Sequence, residues 1–349
     1  MAVIMVMAAS AATKGHRHAP PRPPHTLHRP GAPVNGRVLA RAAVVGAALS
    51  AVAAPAVGPA AASASAASAS APAATSATSA ASALAARAAA GSNPVYFVHG
   101  IDWNHSRAGD AQINCESAWK SAIAALRAKG WKGPMVTWGY YAKDTRCTRK
   151  FNGDLNTRLQ ELGRRLAWDV HDRYSKSGKP VDVVAHSMGG LVVRAALEGV
   201  RRYGKNKDWP DRLLIRDVVT YSTPHTGTSW GTSCLALRGW KQCSDVRPKS
   251  GFLKWAGQNP QGSGGTDWTL VGASDDDTIT SGSATGMRAR HKVVYASGQG
   301  LEHSVIKNKG TGSGWKSRSS HDHGSTWRST GSGPGPLLLL HNALSGTSS

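Results

Sequence analysis

Beyond residue 92 the sequence predicts an α/β domain, with a doubly wound, mostly parallel sheet and flanking helices. Two observations support this fold class. Short apolar runs rich in β-branched residues alternate with segments whose apolar residues recur every three or four positions, the pattern of strands and amphipathic helices. One of the runs, 181–185, leads through a tight turn of small residues at Ser187 directly into a helical pattern.

The first predicted elements follow one another closely. Strand 93–101 enters a Gly turn, and an apolar stripe then predicts a helix over 115–131. A second strand covers 135–138. Leucines at three- and four-residue steps predict a long amphipathic helix over 152–176.

The second half continues the alternation. Strands are predicted over 213–221, 269–274 and 292–296, and a closing helix over 336–344. The loop-rich segment 229–265 forms either a small cap over a substrate groove or a long loop on the protein surface. A Gly/Ser-rich stretch carries His321 and His323, which we expect to be exposed rather than to bind a metal.

The turn at Ser187 carries the chemistry. Small residues stand two places before and two places after it, Ala185 and Gly189, where a branched side chain would collide with the neighbouring strand and helix. The helix that follows points its N-terminal N–H groups and its dipole at the place where negative charge would develop. This arrangement is typical of a nucleophilic serine; the alternative is a buried strand with a structural serine.

Four motifs carry a family resemblance: N-P-V-x-x-V-H-G-I from Asn93, A-H-S-M-G-G-L-V around Ser187, T-P-H-x-G from Thr223, and H-S at His303. They resemble the secreted bacterial triacylglycerol lipases and esterases of the class 2 type, in the α/β-hydrolase superfamily. The resemblance covers most of 93–344. It implies an α/β-hydrolase catalytic domain over 93–349 that hydrolyses carboxylic esters, with acylglycerols as the expected substrates and no metal or organic cofactor.

The same resemblance implies a catalytic triad. Ser187 would be the nucleophile, His303 the base and Asp276 the acid, in the chain order of this fold. The spacing of the residues that follow selects Asp276 from three consecutive aspartates, and Asp277 is the close alternative. Oxyanion-hole N–H groups would come from the backbones of Ile101 and Met188.

Two further histidines belong to the same motifs. His99 precedes the glycine of the first motif, and His225 lies in the T-P-H-x-G turn. The resemblance implies a structural role for each rather than a catalytic one.

The first 90 residues differ from the rest, with seven basic residues and no acidic one. A basic start and an apolar run over 42–57 predict a secretory signal region over 1–59. A single membrane anchor is the alternative, but the run is shorter than the ~20 residues that span a bilayer. The Ala/Ser-rich segment 60–92 is a predicted disordered spacer. We therefore expect a secreted, monomeric protein without a transmembrane span.

Four cysteines fall within the predicted domain, as expected of an exported protein with disulfides. They permit three pairings. The short spacing favours Cys234–Cys243, and hence Cys115–Cys147.

The formal net charge is +22, of which +15 belongs to residues 91–349. This charge predicts attraction to anionic surfaces such as cell-wall polymers or acidic lipid. Lys and Arg are scattered, so no specific nucleic-acid recognition is expected. Two other functions stay open: a different hydrolase-fold enzyme, such as a peptidase or acyltransferase, and a catalytically dead, cationic surface-binding protein.

Overall fold

The computed structural model describes residues 91–104 and 106–347. The predicted signal region, 1–59, and all but the last two residues of the predicted spacer, 60–92, lie outside the described residues.

A nine-stranded sheet organises the described part of the chain, in the order β3-β2-β1-β4-β5-β6-β7-β8-β9. The strands are β1 (Val95–Val98), β2 (Met135–Tyr141), β3 (Arg149–Gly153), β4 (Val181–His186), β5 (Ile215–Tyr221), β6 (Asp267–Ala273), β7 (His291–Tyr295), β8 (Ser313–Ser320) and β9 (Arg328–Pro334). Strands β1 to β7 pair in parallel, and β8 and β9 are antiparallel. This is the mostly parallel α/β-hydrolase fold that the sequence predicts, and the prediction is confirmed.

Helices cover the sheet on both faces. They are α1 (Cys115–Ala128), α2 (Leu159–Arg173), α3 (Met188–Tyr203), α4 (Ser229–Arg238), α5 (Lys241–Asp245), α6 (Gly251–Trp255), α7 (Ser281–Ala284) and α8 (Pro336–Leu344). Alternate residues of β1 point to opposite faces: Tyr96 and Val98 pack with α2 and α3, whereas Val95 and Phe97 pack with α1 and α8. Among the described helices, none has the length and apolar character needed to cross a membrane.

Two regions differ from the sequence prediction. The helix predicted over 152–176 begins only at Leu159, because 149–153 instead forms the edge strand β3. The Gly/Ser-rich stretch after His303 forms the β8–β9 hairpin, which extends the sheet beyond β7.

The segment 229–265 contains three short helices, α4, α5 and α6, which we call the cap helices. Cys234, Val246 and Phe252 from this segment join the core that packs on α2 and α3. The segment is therefore held against the domain.

The structure pairs Cys115 with Cys147 and Cys234 with Cys243, the pairing that the cysteine spacing favours. The first disulfide ties the start of α1 to the chain before β3. The second joins α4 to α5 within the cap helices.

Candidate active site

Ser187 stands between the end of β4 and the start of α3 on a strained turn, with φ 54° and ψ −132°. A non-glycine residue rarely adopts a positive φ, and such strain concentrates at functional sites. Neighbouring backbone leaves no room for side chains here. A Cβ on Gly189 would collide with the carbonyl oxygens of Val98 and His99 at the end of β1, and one on Gly100 would lie 2.8 Å from the Ser187 Cβ. The small residues thus let the loop after β1 approach the serine closely.

The three residues predicted as a triad come together. His303 Nε2 lies 2.9 Å from Ser187 Oγ, and His303 Nδ1 lies 2.9 Å from Asp276 Oδ2. All three are at least nine-tenths buried, since Ser187 is 3%, Asp276 8% and His303 9% exposed. The hydrogen bonds between them therefore act in a medium of low polarity, where they are stronger than in water.

Asp276 is held as a carboxylate. Burial alone would raise its pKa, but the hydrogen bond and charge of His303, together with hydrogen bonds from Ser222 and the Ile279 backbone, outweigh burial, and the pKa falls below its usual value. Its other oxygen, Oδ1, accepts the backbone N–H groups of Thr278 at 3.0 Å and Ile279 at 2.8 Å. Asp277 is exposed, and its Oδ1 accepts the Thr278 hydroxyl at 3.1 Å. The geometry thus joins Asp276, not Asp277, to His303.

A second histidine, His186, stands beside His303, with ring centroids 4.8 Å apart. Burial, followed by the nearby charge of His303, lowers the pKa of His186 well below its usual value. His186 is consequently neutral at physiological pH. It was not among the residues that the sequence motifs single out for a role.

The two predicted oxyanion donors are both buried, Ile101 at 6% and Met188 at 1% exposure. Met188 is the first residue of α3, where backbone N–H groups lack partners within the helix. The Ile101 N–H has no hydrogen-bond acceptor among the other described residues. A buried N–H without an acceptor is unusual, and such a group is available to bind a ligand oxygen.

His99 and His225 bond to groups other than Ser187. His99 Nε2 lies 2.9 Å from Asp144 Oδ2, and His225 Nε2 lies 3.1 Å from Thr220 Oγ1. The His225 carbonyl accepts the buried Arg194 guanidinium at 2.7 Å. The structural role that the motifs imply for these two histidines stays a prediction.

Asp275 holds the loop that carries His303, a role that the sequence reasoning missed. Its carboxylate accepts the backbone N–H groups of Gly298 at 2.7 Å, Gln299 at 2.9 Å and Leu301 at 3.2 Å. The bond from Gly298 is the main reason that the pKa of Asp275 is lowered. The three consecutive aspartates were a visible signal, but only one was expected to have a role.

His321 differs from expectation, because it is half-buried rather than exposed. Its Nδ1 lies 2.8 Å from Nδ1 of His291, and His291 Nε2 lies 3.2 Å from Asp267. Within residues 91–104 and 106–347, no three His, Cys, Asp or Glu side chains are grouped so that they could hold a metal ion.

Comparison with protein families gives one match. Residues 95–260 match the family described as "Putative serine esterase (DUF676)". The match includes Ser187, whereas Asp276 and His303 lie beyond its end. No curated protein matches the chain.

Several solved structures are similar to parts of the chain. Phospholipase PlaB from Legionella pneumophila in complex with thio-NAD shares 15% identity, covering 52% of this chain and 38% of that chain, with a TM-score of 0.34. The mature form of lipase BlEst2 from Bacillus licheniformis shares 19%, covering 56% and 71%, with a TM-score of 0.34. Aspergillus fumigatus lipase B shares 17%, covering 54% and 39%, with a TM-score of 0.33. The chain therefore spans well under half the length of the Legionella phospholipase.

Proposed function

We propose that this protein is a secreted serine hydrolase that cleaves carboxylic esters, with acylglycerols and related lipids as substrates. The observation that carries the proposal is the continuous hydrogen-bonded chain from Ser187 Oγ through His303 to Asp276. The match of residues 95–260 to a serine-esterase family supports the same reaction class.

In the proposed reaction, His303 Nε2 takes the Ser187 proton as Oγ attacks the carbonyl carbon of the ester. The tetrahedral intermediate then collapses. The bond to the leaving oxygen breaks, His303 returns the proton to that oxygen, and an alcohol departs from the acyl-enzyme. A water molecule next gives a proton to His303 and attacks the acyl carbon, which releases the carboxylic acid and restores the Ser187 hydroxyl.

The remaining groups stabilise charge in this scheme. The Asp276 carboxylate holds His303 in the tautomer with a proton on Nδ1 and stabilises its cationic form. The N–H groups of Ile101 and Met188 would bind the oxyanion. Removing one such donor typically costs about 10²–10³ in turnover.

An acyl substrate agrees with the apolar surroundings of the loop after β1. Trp103, two residues beyond Ile101, has its ring in contact with that of Trp230 on α4. Leu237 on the same helix is 81% exposed. An exposed aliphatic side chain on the helix that carries Trp230 suits contact with lipid chains.

The proposal includes secretion of the enzyme and its electrostatic attraction to anionic surfaces. Two disulfides agree with an oxidising compartment, since cytosolic thiols are kept reduced. The +15 charge of residues 91–349 would draw a monomeric enzyme to anionic lipid or cell-wall surfaces.

A fluorophosphonate probe tests the proposal directly, because it reacts only with an activated serine. We expect peptide mapping to find the label on Ser187, and Ser187→Ala to lower p-nitrophenyl ester turnover about 10⁴-fold or more. Ser175→Ala is the control, because Ser175 is equally buried but bonds the Leu214 backbone N–H at 2.9 Å. Ester turnover that survives in Ser187→Ala, or cleavage of a peptide panel without ester cleavage, would contradict the proposal.

A further inference from the structure

The carbonyl oxygen of Gly100 is held by two side chains. Tyr140 Oη donates to it at 2.7 Å and to the adjacent His99 carbonyl at 2.9 Å, and His99 Nδ1 lies 2.7 Å from the Gly100 oxygen. A carbonyl oxygen can only accept, so the Tyr140 hydroxyl donates to it, and His99 donates to it when the ring carries a proton on Nδ1. Each is almost fully buried, Tyr140 at 0% and His99 at 3% exposure.

We propose that Tyr140, together with His99, is a positioning residue that aims the Ile101 N–H at the developing oxyanion. This inference rests on the proposed ester hydrolysis and adds two residues outside the triad and the oxyanion donors.

The geometry of the peptide bond links the direction of the Gly100 carbonyl to that of the Ile101 N–H. The Gly100 C=O and the Ile101 N–H belong to one planar peptide unit, and in the trans form they point in opposite directions. Donors that hold the oxygen therefore fix the direction of the N–H on the other side. Gly100 lies against the serine, because a Cβ built on it would be 2.8 Å from Ser187 Cβ and 3.3 Å from Ser187 Oγ.

The loop needs such an anchor because glycine has more rotational freedom than any other residue. The two donors are themselves well held. The Tyr140 and His99 rings stack with centroids 4.1 Å apart. Asp144 Oδ2 lies 2.9 Å from His99 Nε2 and accepts the Tyr140 backbone N–H at 2.8 Å. One carboxylate thus contacts both residues whose side chains hold Gly100, through the His99 ring and the Tyr140 backbone.

The hydroxyl of Tyr140 is a neutral donor, since burial raises its pKa well above the usual value. A hydrogen bond to a carbonyl polarises its peptide and strengthens the N–H on the other side as a donor. Loss of the Tyr140 hydroxyl would leave the Ile101 N–H in place but poorly aimed. The expected effect is therefore smaller than that of removing an oxyanion donor.

The test compares Tyr140→Phe with Tyr295→Phe. Tyr295 is equally buried on β7, and its hydroxyl also donates to a backbone carbonyl, that of Pro334 at 2.8 Å. With p-nitrophenyl butyrate, we expect Tyr140→Phe to lower kcat about 10–100-fold with little change in KM. Its affinity for a trifluoromethyl ketone, which forms a tetrahedral adduct, should fall by a similar factor. Tyr295→Phe should keep the wild-type kcat, KM and affinity for the ketone.

A second variant guards against misfolding of the first. In His99→Gln, the side-chain amide can still reach Asp144 but cannot reproduce the Nδ1 bond to Gly100, so kcat should again fall selectively. Wild-type kcat and ketone affinity in folded Tyr140→Phe, or a rise in KM alone, would overturn the positioning role while leaving the triad intact. A wild-type protein that neither turns over esters nor labels at Ser187 would overturn the proposed function, and the positioning role with it.

Discussion

His186 donates its Nε2–H to the backbone carbonyl of His303, 2.8 Å away. The residue next to the proposed nucleophile thus holds the backbone of the proposed base, although 117 positions separate them in sequence. Because burial keeps His186 neutral, it adds no like charge when His303 becomes protonated. The bond therefore fixes the position of the base without opposing its charge.

Removing this bond is expected to slow the reaction. In His186→Phe the ring remains and the donor is lost, so kcat should fall about tenfold, the equivalent of one buried hydrogen bond of about 1.4 kcal/mol. His186→Gln can place an amide N–H near the former Nε2 position and should retain more activity. Steady-state kinetics of both variants check this, and equal kcat in wild type and His186→Phe would contradict it.

Asp276, the predicted triad acid, and Asp277, its close alternative, should respond differently to substitution. Asp276→Asn removes the charge that supports His303, and loss of a triad carboxylate costs about 10⁴ in kcat in well-studied serine hydrolases. Asp277→Asn alters an exposed side chain and should stay within about twofold of wild type. Measurement of kcat for both decides between them. A large loss in Asp277→Asn with none in Asp276→Asn would reverse the assignment.

Local sequence was sufficient to predict the turn at Ser187. Its small residues, its apolar strand and its helix all lie within about twenty positions, and each is required by contacts close by. The closing helix was equally clear, since 336–344 is apolar and begins with proline, and the structure gives Pro336–Leu344.

The β8–β9 hairpin and the role of Tyr140 could not be predicted in this way. Strand β9 is almost wholly exposed at the edge of the sheet, so its sequence carries no apolar alternation to mark it. Tyr140 meets Gly100 only because β2 pairs beside β1, and that pairing depends on the whole fold. Sequence patterns thus report contacts within an element better than contacts between elements.

The two disulfides should contribute unequally to stability. Cys115 and Cys147 are 32 positions apart, whereas Cys234 and Cys243 are 9 apart. In the chain-entropy account, a longer closed loop constrains the unfolded chain more, which gives roughly 4 kcal/mol for the first disulfide and 3 kcal/mol for the second.

Paired Cys→Ala variants check this by guanidinium unfolding. We expect the variant lacking Cys115–Cys147 to lose more unfolding free energy than the variant lacking Cys234–Cys243. A larger loss of unfolding free energy for the variant lacking Cys234–Cys243 would show that the native packing of α4 and α5 contributes more to stability than the loop length does.

Lys307, four positions after His303, is buried against α1. Its Nζ donates to the Ala118 carbonyl at 2.9 Å and lies 5.6 Å from the centre of the Trp119 ring. It is 8% exposed, and burial lowers its pKa to about 8. The folded protein therefore binds this proton less tightly than the unfolded chain, whose lysines keep a pKa of about 10.4.

This difference in proton binding makes the stability of the folded protein depend on pH. Between pH 8 and about 10.5 the unfolded chain holds the Lys307 proton more often than the folded protein, so the free energy of unfolding rises with pH. The contribution amounts to roughly 2–3 kcal/mol over that window. Lys307→Met should remove the rise, whereas Lys309→Met, which alters an exposed lysine, should keep it. Denaturant unfolding at pH 7.5 and 10 measures the difference, and parallel pH dependences in wild type and Lys307→Met would refute it.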